Sequence, residues 1–115
     1  MNAVVPLAAL IAVADTLAGV RRGDLAPGER LVVATRNSIY SLLALAGGRF
    51  LVSGGWLARG GHGERTLAVS GCTLGGRALL TDMVAAPGLF LEFGDGTATT
   101  RIRSVRRIPP ESSTA

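Results

Sequence analysis

The chain has 115 residues, the length of one domain with a short appendage. Hydrophobic residues make up 48% of it and charged residues 17%, a composition that excludes a disordered protein. All 12 basic residues are arginine and eight residues are acidic, which gives a net charge of +4. This excess comes from a run near the C-terminus, Arg101, Arg103, Arg106 and Arg107. Without this run the charges balance, so the chain is neutral with one basic end.

The first predicted element is a helix from Pro6 to Val20. Proline is favoured at the first helical position, alanine and leucine dominate the interior, and Arg21 and Arg22 suit the negative end of the helix dipole. Its large apolar residues cover about half of the circumference, more than one buried stripe needs. The helix is therefore a fully buried core helix, a helix that contacts a partner or a second copy, or a membrane-surface helix. The last is disfavoured because its arginines stand at the end instead of along a polar face.

If the helix joins two copies, we expect the interface to be formed by its large apolar residues, which are Leu7, Leu10, Ile11, Val13 and Leu17. No basic segment precedes the helix, as a secretory signal would require, so we expect a cytoplasmic protein.

From Leu25 onward the pattern changes to short apolar runs separated by glycine-rich turns, of which Ala26–Glu29 is the first. The predicted strands are Leu31–Arg36, Ile39–Ala46, Arg49–Ser53, Thr66–Ser70, Leu89–Phe93 and Thr97–Val105. We therefore expect a mainly β protein, a small antiparallel barrel of five or six strands, SH3-like or Sm-like, preceded by one N-terminal α-helix. The expected division is a helix over residues 1–23, a barrel over 24–108 and a flexible tail over 109–115.

Four short segments between the predicted strands carry more specific expectations. Gly47 and Gly48 predict a two-residue hairpin that sets Leu45 beside Phe50 and Leu43 beside Val52. The pair Asn37-Ser38 is either a tight turn or a bulge. Trp56 and Leu57 lie between glycine clusters, which predicts a mobile loop, and residues 94–96 (Gly-Asp-Gly) predict the turn of a last hairpin.

Catalysis has little support. The chain has one cysteine, Cys72, and one histidine, His62, which excludes an internal disulfide and a cysteine–histidine zinc site. Cys72, His62 and Asp82 could act as the nucleophile, base and orienting acid of a catalytic triad. They are considered together only because the chain has one cysteine and one histidine, and no spacing motif relates them. The glycines between Gly71 and Arg77 are either a phosphate-binding loop or bends in a barrel, and a P-loop needs a lysine that the chain lacks. We expect no enzyme, no cofactor, no metal and no small-molecule substrate.

Two basic segments are candidates for binding an anion or a partner. Arg36 and Asn37 could bind an anion through the guanidinium and the side-chain amide, although asparagine is also an ordinary turn residue. In an extended C-terminal strand Arg101, Arg103, Val105 and Arg107 would share one face, because strand side chains alternate. Arg106 completes the run. These arginines bind an acidic protein surface, bind nucleic acid, or form a solvated edge that prevents aggregation.

Residues 25–108 resemble an uncharacterised type of small bacterial protein. The residues that carry the resemblance are Pro27-Gly28, Thr35-Arg36-Asn37-Ser38 with Tyr40, Ser53-Gly54-Gly55, and the stretch Gly71–Gly76. The resemblance implies a compact bacterial β domain and no activity.

Together these patterns favour a non-enzymatic interaction or assembly module that uses its apolar helix and basic C-terminal strand. A protein partner or self-association is expected, because contiguous apolar surface on a small chain marks interfaces. The alternative is binding of RNA or single-stranded DNA through the C-terminal arginines, although the few aromatic residues are placed in core strands.

Overall fold

A computed structural model describes residues 19–61, 63–73 and 79–110. In these ranges the protein is mainly β, and its strands pair antiparallel throughout. The strands are β1 (Val20–Arg21), β2 (Arg30–Thr35), β3 (Ile39–Ala44), β4 (Arg49–Gly54), β5 (Arg65–Thr73), β6 (Leu79–Leu80), β7 (Met83–Ala85), β8 (Phe90–Phe93) and β9 (Ile102–Ile108). The helix α1 (Gly55–Arg59) follows β4.

The strands form one curled sheet in the order β6-β5-β4-β3-β2-β9, with β8 also paired to β5. A second, two-stranded sheet joins β1 and β7. The described part of the chain is thus an antiparallel half-barrel, which confirms the expected β class. The main sheet has seven strands instead of five or six, because the short strands β6 and β8 both pair with the long β5.

Alternating apolar residues in β2, β3 and β4 point to the concave side and form the core. Phe93 of β8 is fully buried at its centre. The Phe93 ring lies 6.3 Å from the ring of Tyr40 and 6.4 Å from that of Trp56, edge-on to the latter. Such tilted and edge-to-face pairs are favourable for aromatic rings, so this cluster ties β3, α1 and β8 together.

The long strand β5 contains an irregularity. Its pairing with β8 shifts between Val69 and Gly71, which marks a bulge. Gly71 has φ +147°, and a Cβ there would collide with the carbonyl oxygen of Leu80. Glycine is therefore required at this bend.

The predicted helix over Pro6–Val20 lies largely outside the described residues. Its last residue contradicts the prediction, because Val20 is a β1 residue that pairs with Ala85 of β7. Val20 is buried in the core, so its apolar character serves sheet packing here.

Arg21 and Arg22, predicted to favour a helix C-terminus, fasten β1 to the sheet instead. Arg21 forms an ion pair with Asp82 at 3.0 Å. The Arg22 guanidinium donates to the carbonyl oxygens of Val69, at 2.7 Å, and Thr81, at 2.8 Å. These bonds hold the start of the described chain against β5 and the segment before β7.

The β3–β4 hairpin has a different register from the predicted one. Phe50 lies opposite Ala44 instead of Leu45, and the whole ladder is shifted by one residue. The loop is Ala46–Gly48, one residue longer than expected, and the N–H of Leu45 donates to the carbonyl oxygen of Arg49 across it (2.8 Å). A one-residue change in loop length moves every pair of the ladder.

The segment predicted as a mobile loop is the helix α1. Leu57 is fully buried, and the N–H of Trp56 donates to the hydroxyl oxygen of Tyr40 at 3.4 Å. Gly54 and Gly55 have φ of +91° and +52°. These left-handed conformations turn the chain from β4 directly into the helix.

The predicted turn at Gly94–Gly96 is present, since the N–H of Phe93 donates to the carbonyl oxygen of Thr97 at 2.8 Å. The predicted hairpin continues beyond this turn as far as Ile102, because the N–H of Thr99 donates to the carbonyl oxygen of Leu91 at 2.9 Å and the N–H of Ile102 donates to that of Leu89 at 2.8 Å. Beyond Ile102 the predicted partner is wrong, because β9 pairs with β2.

Candidate anion-binding site

The two basic segments singled out in the sequence meet at one pocket. The pocket has a volume of about 420 Å³, and its lining residues are Arg36, Asn37, Phe90, Thr100, Arg101 and Arg103. The first two belong to the turn between β2 and β3, and the last three lie at or just before the start of β9. A backbone hydrogen bond from the N–H of Arg36 to the carbonyl oxygen of Arg101, at 3.0 Å, joins the two segments.

The turn that presents Arg36 and Asn37 is held by Thr35 and Ser38. The N–H of Thr35 donates to the carbonyl oxygen of Ser38 at 2.8 Å, and the Thr35 hydroxyl accepts from the Ser38 N–H at 3.1 Å. The segment is therefore a tight turn and not a bulge. Because these bonds use the flanking residues, the side chains of Arg36 and Asn37 are left exposed at the tip.

Arg101 is held in place by two contacts. Its Nη1 donates to the carbonyl oxygen of Gly88 at 2.8 Å, and its guanidinium carbon lies 5.0 Å from the centre of the Phe90 ring. A cation over an aromatic face at an exposed site contributes about 0.5–1 kcal/mol. The guanidinium is thus oriented before any ligand arrives, and less side-chain entropy is lost on binding.

Arg103 occupies an irregularity in β9. Thr35 pairs with Ile102 and Ala34 pairs with Ser104, so Arg103 is an extra residue with no partner in β2. Bulges of this kind turn a side chain away from the regular alternation of a strand. Arg101 and Arg103 are two residues apart and both line the pocket, and the bulge changes the alternation of the β9 side chains that follow them.

No acid among the described residues neutralises the pocket arginines. In the described ranges no carboxylate lies within 4.0 Å of Arg36, Arg101 or Arg103, whereas Arg21 and Arg107 have such partners. Like charges held close together repel one another, and an anion between them removes this repulsion. Guanidinium groups also donate paired hydrogen bonds to planar and tetrahedral oxyanions. The arrangement is therefore suited to binding a carboxylate or phosphate.

The expectation of one arginine face along β9 is wrong. The bulge interrupts the alternation, and Arg107 forms an ion pair with Glu29 at 2.6 Å and donates to the carbonyl oxygen of Asp24 at 2.9 Å. Arg106 lies opposite Val32 on the convex face and is exposed. Of the four C-terminal arginines, the structure brings only Arg101 and Arg103 to the pocket.

Phe90 and Thr100 are pocket residues that the sequence did not single out. The sequence places Phe90 in a strand, which is correct, but the aromatic ring is half-buried beneath Arg101. A cation–π contact across eleven positions of chain leaves no local pattern, so only the tertiary structure identifies it.

Cys72 is fully buried in β5, and its thiol donates to the carbonyl oxygen of Val84 at 3.3 Å. Burial raises the pKa of the Cys72 thiol to about 12, so the thiol is protonated at neutral pH. A reactive cysteine needs the thiolate and access to solvent. Asp82, the orienting acid of the hypothetical triad, pairs with Arg21, and His62 lies outside the described residues.

The other candidates fall elsewhere. The predicted interface residues Leu7, Leu10, Ile11, Val13 and Leu17 lie outside the described ranges, as do Gly75 and Gly76. Within residues 19–61, 63–73 and 79–110 no cluster of histidine, cysteine and acidic side chains could hold a metal ion. In the same ranges no helix has the length and apolar character needed to cross a membrane.

Comparisons with known proteins found no match to this chain among family models, curated proteins or solved structures. The fold and the pocket therefore define the molecule as a small antiparallel β half-barrel with a basic pocket beside its terminal strand.

Proposed function

We propose that this protein is a non-enzymatic interaction module that docks on an acidic surface of a protein partner through the basic pocket. The observation that carries the proposal is the convergence of Arg36, Arg101 and Arg103 on one pocket, three cations from two distant segments that have no carboxylate partner among the described residues. A pre-oriented guanidinium flanked by two exposed ones fits a surface carboxylate, and complementary charge accelerates and orients association.

The proposal also includes finer features of the fold and location. An SH3-like or Sm-like barrel is supported by the consecutive antiparallel strands β2 to β5 that curl around one core. A cytoplasmic location is supported by the single cysteine. Self-assembly through the N-terminal apolar segment is a separate part of the proposal and has its own test below.

The test is a binding measurement with two probes, an octaglutamate peptide and an oligothymidylate of similar length, both labelled with an uncharged dye. Fluorescence anisotropy gives the affinity of each probe at salt concentrations between about 50 and 200 mM. We expect the peptide to bind, and the double variant Arg36→Ser/Arg103→Ser to weaken its binding about tenfold or more, because hydrogen bonds to charged groups contribute about 1.5–3 kcal/mol.

The matched control is Arg49→Ser/Arg65→Ser, which also removes two exposed arginines but leaves the pocket intact. An equal loss in both double variants would show that net charge alone drives binding and would overturn the pocket as the docking site. Tight, salt-sensitive binding of the oligothymidylate without binding of the peptide would establish the nucleic-acid alternative instead.

A further inference from the structure

The edge of the sheet next to the pocket is open. The strand β9 is the last in the sheet and pairs with β2 on one side. On its other side the final backbone bonds are those of Ile102, whose N–H donates to Leu89 and whose carbonyl oxygen accepts from Gly88, both at 2.8 Å. Beyond Ile102 no strand of the described chain covers this side of β9.

The direction of the unused backbone groups follows from the register. The N–H of Thr35 donates across the β2–β3 turn at 2.8 Å, so the backbone groups of Thr35 point toward β3. Backbone direction alternates along a strand, so Val33 and Leu31 point the same way. Their partners in β9 are Val105 and Arg107. The N–H and C=O groups of these two residues therefore point away from β2, along the open edge.

An exposed strand edge is a template for a further strand, which forms backbone hydrogen bonds with it. The charges of this edge favour an acidic strand, because Arg106 is exposed on the convex face and Arg103 lies beside the pocket, both without a carboxylate partner among the described residues. A second copy of β9 is disfavoured, because pairing two such edges would bring their arginines together and like charges on opposed strands are destabilising.

We infer that β9 accepts an extended, acidic segment of the protein partner as an additional strand. Its backbone bonds to Val105 and Arg107, and its carboxylates lie near Arg106 and reach the pocket at Arg103. The inference rests on the proposed function and specifies how the acidic partner is held.

The experiment compares two peptides of the same alternating glutamate–valine sequence, one with ordinary backbone amides and one with these amides N-methylated. Both carry the same charges, but the methylated peptide donates no backbone hydrogen bond. We expect the ordinary peptide to bind about three- to tenfold or more tightly than the methylated one, the effect of losing backbone hydrogen bonds of typical net strength.

A variant of the protein tests the same edge from the other side. Val105→Pro removes an N–H that points away from β2, a position at which proline is tolerated in an edge strand. Val105→Ala is the matched control, because it shortens the same side chain and keeps the N–H. We expect Val105→Pro to lose affinity for the ordinary peptide by about threefold or more relative to Val105→Ala. Thermal unfolding verifies that both variants are folded.

The outcomes separate the two proposals. If both peptides bind equally, or if the proline and alanine variants do not differ, strand addition is wrong while docking through charge stands, provided that Arg36→Ser/Arg103→Ser still weakens binding. If neither peptide binds the wild-type protein, both proposals fail. The arginines of β9 would then serve only to prevent aggregation through the edge of the sheet. Slower hydrogen exchange of the Val105 and Arg107 amides on addition of the ordinary peptide would identify the edge directly.

Discussion

Cys72 is a residue whose chemistry is set by its surroundings. Its side chain is fully buried, and its thiol hydrogen bonds to the Val84 carbonyl oxygen. Removal from water disfavours the thiolate, which raises the pKa of the thiol from its ordinary value of 9.0 to about 12. The cysteine is therefore a small apolar packing residue in this fold.

This burial makes the free energy of unfolding pH-dependent. Below pH 9.0 the Cys72 thiol is protonated in both states and contributes nothing to the dependence. Between pH 9.0 and about 12 the unfolded chain loses the proton while the folded chain keeps it, so stability falls as pH rises, by up to about 1.4 kcal/mol per pH unit. Urea unfolding across this range should show a steeper loss for the wild-type protein than for Cys72→Ala. Equal slopes would contradict the prediction.

Gly54 is a residue that no other amino acid can replace without strain. Its φ is +91°, and a Cβ there would collide with the carbonyl oxygen of Ile39 in the neighbouring strand. We expect Gly54→Ala to lower the free energy of unfolding by about 3 kcal/mol, from backbone strain and overpacking together. Urea denaturation measures the change.

The control for this substitution is Gly47→Ala, because Gly47 has a similar φ of +79° but open space where the added methyl group would lie. That variant should lose only about 1–2 kcal/mol, the cost of the left-handed backbone. If both variants lost the same free energy, the contact with Ile39 would have no effect on stability.

At the scale of elements, β9 is fixed to the rest of the fold by an ion pair. Glu29 is buried, and its Oε2 lies 2.6 Å from both Nε and Nη2 of Arg107. Glu29 also accepts from the N–H of Ala26 at 3.3 Å, within the turn that precedes β2. One carboxylate thus joins the C-terminal strand to the turn before its neighbour.

Removing the cation of this pair should destabilise the fold. Arg107→Ala leaves a buried carboxylate without its partner, and we expect a loss of about 1–2 kcal/mol, since the arginine itself is partly exposed. Arg106→Ala removes an exposed arginine from the same strand and should change stability by less than about 0.5 kcal/mol. Thermal unfolding of the two variants measures the difference, and an equal effect would show that Arg107 contributes only net charge.

Local elements were predicted well where the signal was local. Short apolar runs located β2, β3 and β4 to within one or two residues, and glycine marked the turns at Gly28, Gly47 and Gly96. The short helix α1 was missed because its five residues have no room for a helical repeat, and its stability comes from Leu57 in the core.

At the scale of the whole molecule, self-assembly remains a prediction from the sequence. The apolar residues Leu10 and Leu17 lie on the broad apolar surface of the predicted N-terminal helix. If this surface joins two copies, Leu10→Asp/Leu17→Asp should convert an oligomer to a monomer in light scattering, because charged residues at an interface core must be desolvated. Thr16→Asp, on the narrower polar side, is the control and should leave the mass unchanged. A wild-type protein that is already a monomer would contradict the prediction.

The sequence by itself determined the β class, most strand positions and four of the six residues that line the pocket, namely Arg36, Asn37, Arg101 and Arg103. These features depend on local signals, such as short apolar runs, glycine in turns and charge along the chain.

Only the tertiary structure decided which of those residues work together. The pocket joins Arg36 to Arg101 because β9 pairs with β2, a contact between segments that are distant in sequence. The four C-terminal arginines therefore have different environments. Arg101 and Arg103 line the pocket, Arg107 pairs with the buried Glu29, and Arg106 lies on the convex face. Strand pairing, register and burial arise from packing of the entire chain, and no local pattern contains them.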